Sequence, residues 1–248
     1  MPTFPTSPED RPMQPLSTPV DPTDLSPPAA VRPRRAWALA GTVGGLVGLV
    51  GIFATATLTA PAEELRGDNA AYVAAIADGT GHVWAHQAVC AVVVVCLAVF
   101  GAGLHRYLGA QEPAGSLVPA LAATGVGLVL VGLVVGGGIA TELFFSLGAA
   151  EEYDPDVIAP QLTLFATMAW LWGGIGLTAG AVAVGGLRHG SVSRWLAVFS
   201  VVTALLVAAT QLTPVQYIAL VPGGIWVIVA GLALAFGQPA AAPGPRAA

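Results

Sequence analysis

The chain has 248 residues, of which 55% are hydrophobic and only 9% carry a charge. A soluble domain has about 25% charged residues on average, so this composition excludes a soluble globular protein and predicts extensive contact with lipid. The formal net charge of −5, without any cluster of basic and aromatic residues, excludes nucleic acid as a partner.

The first 35 residues form a segment that holds ten of the twenty prolines. Such a segment buries too little apolar area to offset its chain entropy, so residues 1–35 are predicted to be a disordered cytoplasmic tail. Residues 238–248 are predicted to be a second disordered tail. Residues 36–237 between them form the predicted transmembrane domain.

Six long apolar segments make up this domain, and each comes close to the ~20 residues that an α-helix needs to cross ~30 Å of hydrocarbon. Helices satisfy their own backbone hydrogen bonds in lipid. The predicted fold is therefore all-α, a polytopic bundle of six transmembrane helices. The predicted spans are residues 36–59, 83–108, 117–147, 162–187, 195–212 and 217–236.

The arginines indicate how this bundle is oriented. With six spans, eight of the nine basic residues fall on one side of the membrane, and only Arg66 falls on the other. The positive-inside rule then places both termini in the cytoplasm. The residues that flank the spans and set this orientation are Arg32, Arg34, Arg35, Arg106, Arg188 and Arg194.

The outer loops carry both structure and charge. Asp68 is predicted to cap a short amphipathic helix within residues 67–81, because Tyr72, Val73 and Ile76 follow at helical spacing. The sequence "AAEEYDPD", residues 149–156, is predicted to be a solvated acidic loop.

A polar cluster is predicted at the outer leaflet. His82 and His86 lie four residues apart at the outer start of the second span, so they share a helix face, and Gln87 follows them. Glu142 lies about 6 Å beyond the hydrocarbon edge at the end of the third span. The other two histidines lie at cytoplasmic ends, which excludes a second imidazole for haem. A zinc site on His82, His86 and Glu142 is the weaker alternative, and no metal, cofactor or catalytic set is predicted.

The sixth span contains the sequence "VPGG". Pro222 lacks a backbone N–H, and Gly223 and Gly224 weaken a helix further, so these three residues are a candidate kink near the outer leaflet. Small residues recur four positions apart in several spans and predict close helix packing, either within the chain or between two copies. These pairs are Gly41/Gly45, Gly44/Gly48, Gly132/Gly136 and Gly176/Gly180.

Two stretches resemble a bacterial membrane family of unknown function (DUF 4386). "DNAAYVAAIADGTGHVWAHQ" is similar to that family's second-helix region, and "GGLRHGSVSRWLAVFSVVTALL" resembles its tight inner turn. Ser193 stands where the family pattern has proline. The resemblance extends loosely over residues 36–236 and implies a multi-helix inner-membrane protein without an assigned activity. The positions that carry the turn are Leu187, Arg188, Gly190, Arg194, Trp195 and Leu196.

These features predict a multi-pass protein of the bacterial plasma membrane whose partners are the lipid bilayer and either another membrane protein or a second copy. The absence of a catalytic set favours a non-enzymatic scaffold, sensor or accessory subunit. A small-molecule transporter or binder with an outer-leaflet cavity is the alternative, and a metal-dependent membrane enzyme on the His82, His86 and Glu142 set is the weakest hypothesis.

Overall fold

The computed structural model describes residues 35–55, 65 and 67–237. The two predicted tails, apart from Arg35, and the end of the first predicted span at residues 56–59 lie outside these ranges. Within them, the backbone forms eight α-helices and three 3₁₀ turns and contains no β-strand, which confirms the all-α class.

The α-helices follow the apolar segments of the sequence, with short 3₁₀ turns between some of them. The 3₁₀ turns are Ala77–Gly79, Met168–Gly173 and Gln216–Ala219. The α-helices are α1 (Ala36–Thr55), α2 (Asn69–Ile76), α3 (Thr80–Gly109), α4 (Val118–Gly148), α5 (Pro155–Thr167), α6 (Gly174–His189), α7 (Arg194–Gln211) and α8 (Leu220–Phe236).

Five helical stretches in the described residues are long and apolar enough to cross a membrane. They are Ala36–Thr55, Asn69–Gly109, Val118–Gly148, Arg194–Gln211 and Gln216–Phe236.

The segment 162–187, predicted as one helix, is instead divided among α5, the 3₁₀ turn Met168–Gly173 and α6. The division falls at Gly173 and Gly174, and the backbone of Gly174 lies so close to α4 that a Cβ there would collide with the Gly125 carbonyl oxygen. Paired glycines lower helical propensity, and they permit this approach of two backbones.

Six helices pack side by side in the order α8, α1, α3, α4, α6, α7, and α7 completes the ring against α8. The α7–α8 contact is the least extensive of these neighbouring pairs. The predicted glycine pairs of α1 lie within this packing: Gly41 and Gly44 face Phe100 and Cys96 of α3, and Gly45 faces Ile228 of α8. Small residues thus bring α1 close to both of its neighbours.

The middle of the ring is filled by large apolar side chains. Trp226 of α8 is fully buried, and its indole Nε1 donates a hydrogen bond of 2.9 Å to Ser200 Oγ of α7. Its ring meets Phe100 edge-on, and Phe100 in turn lies beside Trp37, which lies beside Tyr107. A line of aromatic contacts therefore runs from the core to the end of the bundle where α1 begins.

A second, smaller core lies at the opposite end of the bundle. Asp68 caps α2 through a 2.9 Å bond from Ala71 N–H to its carboxylate, as predicted. Val73 and Ile76 of α2 are buried together with Ile158 of α5. The start of α3 contributes Val83 to this core, and the end of α4 contributes Ala140, Leu143 and Leu147. We call α2 and α5 together the cap.

Candidate functional site

The polar residues predicted to cluster at the outer leaflet are held in two separate contacts. His86 Nδ1 lies 2.7 Å from Thr55 Oγ1 of α1, and its ring meets Phe165 of α5 edge-on with centroids 4.8 Å apart. Gln87 Nε2 donates to Thr141 Oγ1 of α4 at 3.0 Å. These contacts tie α3 to three neighbouring helices, so both side chains serve the packing of the bundle.

The other two members of the predicted cluster, His82 and Glu142, are exposed. No hydrogen bond among the described residues joins two of the four predicted members, so they do not assemble into one site. In the part of the chain that the structure describes, no group of three His, Cys, Asp or Glu side chains is placed to hold a metal ion.

Pro222 is the third residue of α8, which begins at Leu220 directly after a 3₁₀ turn. In the first turn of a helix the backbone N–H has no intrahelical acceptor, so proline disturbs nothing there. Pro222 therefore lies in the first turn of α8, and the kink predicted at Pro222, Gly223 and Gly224 stays a prediction. Gly223 faces Ile175 of α6 and Gly224 faces Leu49 of α1, both in ordinary van der Waals contact.

The described arginines gather at one end of the bundle, which we call the arginine end. Arg35 precedes α1, Arg106 lies in the last turn of α3, Arg188 in the last turn of α6, and Arg194 begins α7. Arg32 and Arg34, which the sequence assigned to the same group, lie outside the described residues. Arg106, Arg188 and Arg194 are exposed, whereas Arg35 is half-buried.

Arg35 fastens the start of α1 to the end of α8. Its Nη1 donates to the carbonyl oxygen of Leu234 at 3.0 Å and to that of Gly237 at 3.2 Å. These are carbonyls that the last helical turn leaves without intrahelical partners. The guanidinium carbon also lies 5.2 Å from the centre of the Tyr107 ring, within cation–π range.

A cavity of about 400 Å³ opens beside Arg35. Its walls come from four helices: the start of α1, the end of α3, the start of α7 and the end of α8. The residues that line it include Arg35, Tyr107, Ser193, Trp195, Leu232 and Phe236.

A buried carboxylate, which the sequence reasoning missed, lies at the same end. The Glu112 side chain is only 1% exposed, and its Oε2 lies 2.6 Å from His189 Nδ1 and accepts from Ser116 Oγ at 2.8 Å. Ser116 Oγ also accepts a 3.3 Å hydrogen bond from the Val118 N–H at the start of α4, where Leu117 occupies the N-cap position. The sequence offered one signal for this residue, which is its position in the chain. Among the described residues, Glu112 is the one acid that lies at the arginine end.

The second oxygen of this carboxylate, Glu112 Oε1, and the nearby Ser191 Oγ are buried and have no hydrogen-bond partner in the described residues. Both lie against Gly185 of α6, where an added Cβ would stand 2.5 Å from the first and 2.6 Å from the second. Tyr107 links the network to the cavity, because its hydroxyl donates to the Ser191 carbonyl at 3.3 Å.

The opposite end, which we call the acidic end, carries exposed carboxylates around the cap. Asp156 of α5 accepts a 2.7 Å bond from Asn69 Nδ2 of α2 and so joins the two cap helices. In the described residues this end has no arginine or lysine. Its exposed acids are Asp68, Asp78, Glu142, Glu151, Glu152, Asp154 and Asp156.

No family model matches the chain, and neither a curated protein nor a solved structure matches it. The resemblance of the inner turn to the DUF 4386 family stays a prediction.

Proposed function

We propose that this chain is a bacterial plasma-membrane protein with six spans and both termini in the cytoplasm. The fourth span, predicted over residues 162–187, is composite: the 3₁₀ turn Met168–Gly173 and α6 together rise about 36 Å, more than the ~30 Å hydrocarbon thickness. Support comes from the position of α6 between α4 and α7 in the ring, and from the four described arginines at one end.

Cysteine labelling of intact cells tests this topology. In a background carrying Cys90→Ala and Cys96→Ala, the variants Tyr153→Cys and Ser193→Cys place exposed thiols before and after the composite span. A membrane-impermeant maleimide should label position 153 in intact cells and position 193 only after permeabilisation. Labelling of both positions from the same side would rule out the composite span, and Ala110→Cys serves as a second cytoplasmic reporter.

For its activity, we propose a non-enzymatic role as a scaffold, sensor or accessory subunit that acts through the acidic end. The observation that carries this proposal is the cap, because α2 and α5 share a buried core with the ends of α3 and α4 and so hold Asp68 and Asp156 in fixed positions. A plain connection between two spans would not need such a core. Ordered surfaces lower the entropy cost of binding a partner.

The charge of this surface defines the partner. Seven exposed carboxylates without a described cation create a negative field outside the membrane. Such a field speeds the encounter with a positively charged surface and disfavours acidic ones. The partner that suits it is a basic extracytoplasmic segment of another membrane protein.

Site-specific photocrosslinking in native membranes tests this role. A photoreactive amino acid at Tyr153, an exposed aromatic residue between Glu152 and Asp154, should give one discrete adduct. Glu151→Gln with Glu152→Gln should weaken that adduct, and more strongly at low ionic strength, where surface charges are least screened. The same amino acid at Ala110 is the control for random collision. If positions 153 and 110 give the same diffuse pattern, the acidic end is not a docking surface.

A further inference from the structure

The cavity at the arginine end is lined by one charged side chain and by apolar ones. Arg35 and Tyr107 line it, and Ser193 lines it from the N-cap position of α7. The Ser193 hydroxyl makes no hydrogen bond to a described residue, so it can donate to a ligand. At about 400 Å³ the cavity falls within the ~300–1,000 Å³ range of small-ligand sites.

Arg35 is a half-buried cation without a carboxylate partner among the described residues. Its two hydrogen bonds both come from Nη1, although a guanidinium carries five N–H donors. The carbonyls at the end of α8 offer partial negative charge, equivalent to about half an elementary charge for a whole helix. Because a charge removed from water needs compensation, an anion is the missing component of this site.

The walls of the cavity indicate what kind of anion it takes. Trp195 of α7 is 56% exposed and Phe236 of α8 is 75% exposed, and Leu232 adds a third exposed apolar side chain. These residues belong to α7 and α8, the neighbouring pair of the ring with the least extensive contact, and their exposed apolar side chains line the cavity. A soluble anion gains nothing from such walls, whereas an acyl chain does.

We infer that the cavity binds an anionic phospholipid, with its phosphate on the Arg35 guanidinium and the Ser193 hydroxyl and its acyl chains along Trp195, Leu232 and Phe236. Arginine pairs with phosphate through charge-assisted hydrogen bonds that are stronger than those between neutral groups. Basic pockets between helices at a membrane surface are suited to lipid headgroups. The bound lipid bridges α7 and α8, the neighbouring pair of the ring with the least extensive direct contact.

Thermal unfolding of the purified full-length protein tests this inference. The probes are dihexanoyl phosphatidylglycerol, dihexanoyl phosphatidylcholine and inorganic phosphate at matched concentrations, and tryptophan fluorescence reports unfolding. Phosphatidylglycerol should raise the midpoint, and the shift should grow with the logarithm of its concentration above the dissociation constant, while phosphatidylcholine and inorganic phosphate should cause no shift. An equal shift with phosphatidylcholine would show that the lipid's negative charge is not recognised and would overturn the inference. An equal shift with inorganic phosphate would identify the site as one for a free anion and would overturn the proposal that it binds a lipid.

Three variants separate binding from stability. Arg35→Gln should weaken the apparent affinity for phosphatidylglycerol by about tenfold or more, given the strength of charge-assisted bonds. Arg194→Gln removes the same charge from the same end but does not line the cavity, so it should keep the shift. Because Arg35→Gln also frees the end of α8, Ser193→Leu provides a second test at an exposed position and should weaken binding as well. If Arg35→Gln and Ser193→Leu both keep the wild-type shift, the inference is wrong.

Discussion

Gly125→Ala tests the close contact between α4 and α6. A Cβ on Gly125 would lie 2.7 Å from the backbone nitrogen of Thr178, and still closer to Thr178 Oγ1 and the Gly174 carbonyl oxygen. Two of these three atoms belong to the backbone of the facing segment, so no change of rotamer can relieve the collision. The two helices must move apart instead.

The expected loss of stability follows from this displacement. Carbon atoms in good contact lie about 3.5–4.0 Å apart, so α4 and α6 have to separate by about 1 Å, and a gap of that size forfeits a quarter to a half of each contact energy. For an interface of about twenty close atom pairs at 0.1–0.2 kcal/mol each, the loss is roughly 0.5–2 kcal/mol. Thr178 Oγ1 also donates to the Ala122 carbonyl at 3.0 Å, and such interhelical bonds contribute about 0.6 kcal/mol in membranes. The free energy of unfolding should fall by about 1–3 kcal/mol.

Gly127→Ala is the matched control, since it lies on the same helix and an added Cβ there meets no atom within 4 Å. It should be neutral or stabilise by up to about 1 kcal/mol through higher helix propensity. Both variants can be unfolded by SDS titration in mixed micelles beside the wild type. Equal free energies for the two alanine variants would refute the close contact of α4 with α6.

Two further substitutions test other buried contacts by the same titration. Ser200→Ala removes the acceptor of the Trp226 indole N–H in the core and should lower the free energy of unfolding by about 1–3 kcal/mol, because a buried donor is left unpaired. In a double-mutant cycle with Trp226→Phe, the losses of the two single variants should be clearly non-additive. Simple additivity would speak against the hydrogen bond. Gly185→Ala drives a methyl group against Glu112 Oε1 and should cost about 1–3 kcal/mol, whereas Gly109→Ala, with no atom within 4 Å, should be close to neutral; equal losses would contradict the packing of Glu112 against α6.

The local predictions that the structure confirms are those in which a short stretch decides its own conformation. Asp68 caps α2 because its carboxylate reaches a backbone N–H only three residues away. The apolar side chains Val73 and Ile76 are buried as their spacing predicted, although they pack on α5 and neighbouring helices. Helical spacing identifies the buried face of a helix and leaves open which element covers it.

The structure holds the residues of the predicted outer polar cluster in separate contacts, for a related reason. Depth along separate helices placed His86 and Glu142 at a similar level, but depth does not state which way each helix is rotated. In the bundle His86 turns toward Thr55 and Phe165, while Glu142 is exposed. The position of Pro222 in the first turn of α8 depends on the 3₁₀ turn before it, which hydropathy does not resolve.

Composition and the spacing of apolar residues alone determined that this chain is helical and suited to a membrane, because helices in lipid must be apolar over a fixed length. They also separated the exposed arginines from the exposed acids. Only the tertiary structure placed Arg35 at the end of α8, opened a cavity beside it and buried Glu112 against His189. These residues lie 77 to 202 positions apart in the chain, and their meeting depends on how six helices rotate and close into a ring, which the spacing within each helix cannot specify.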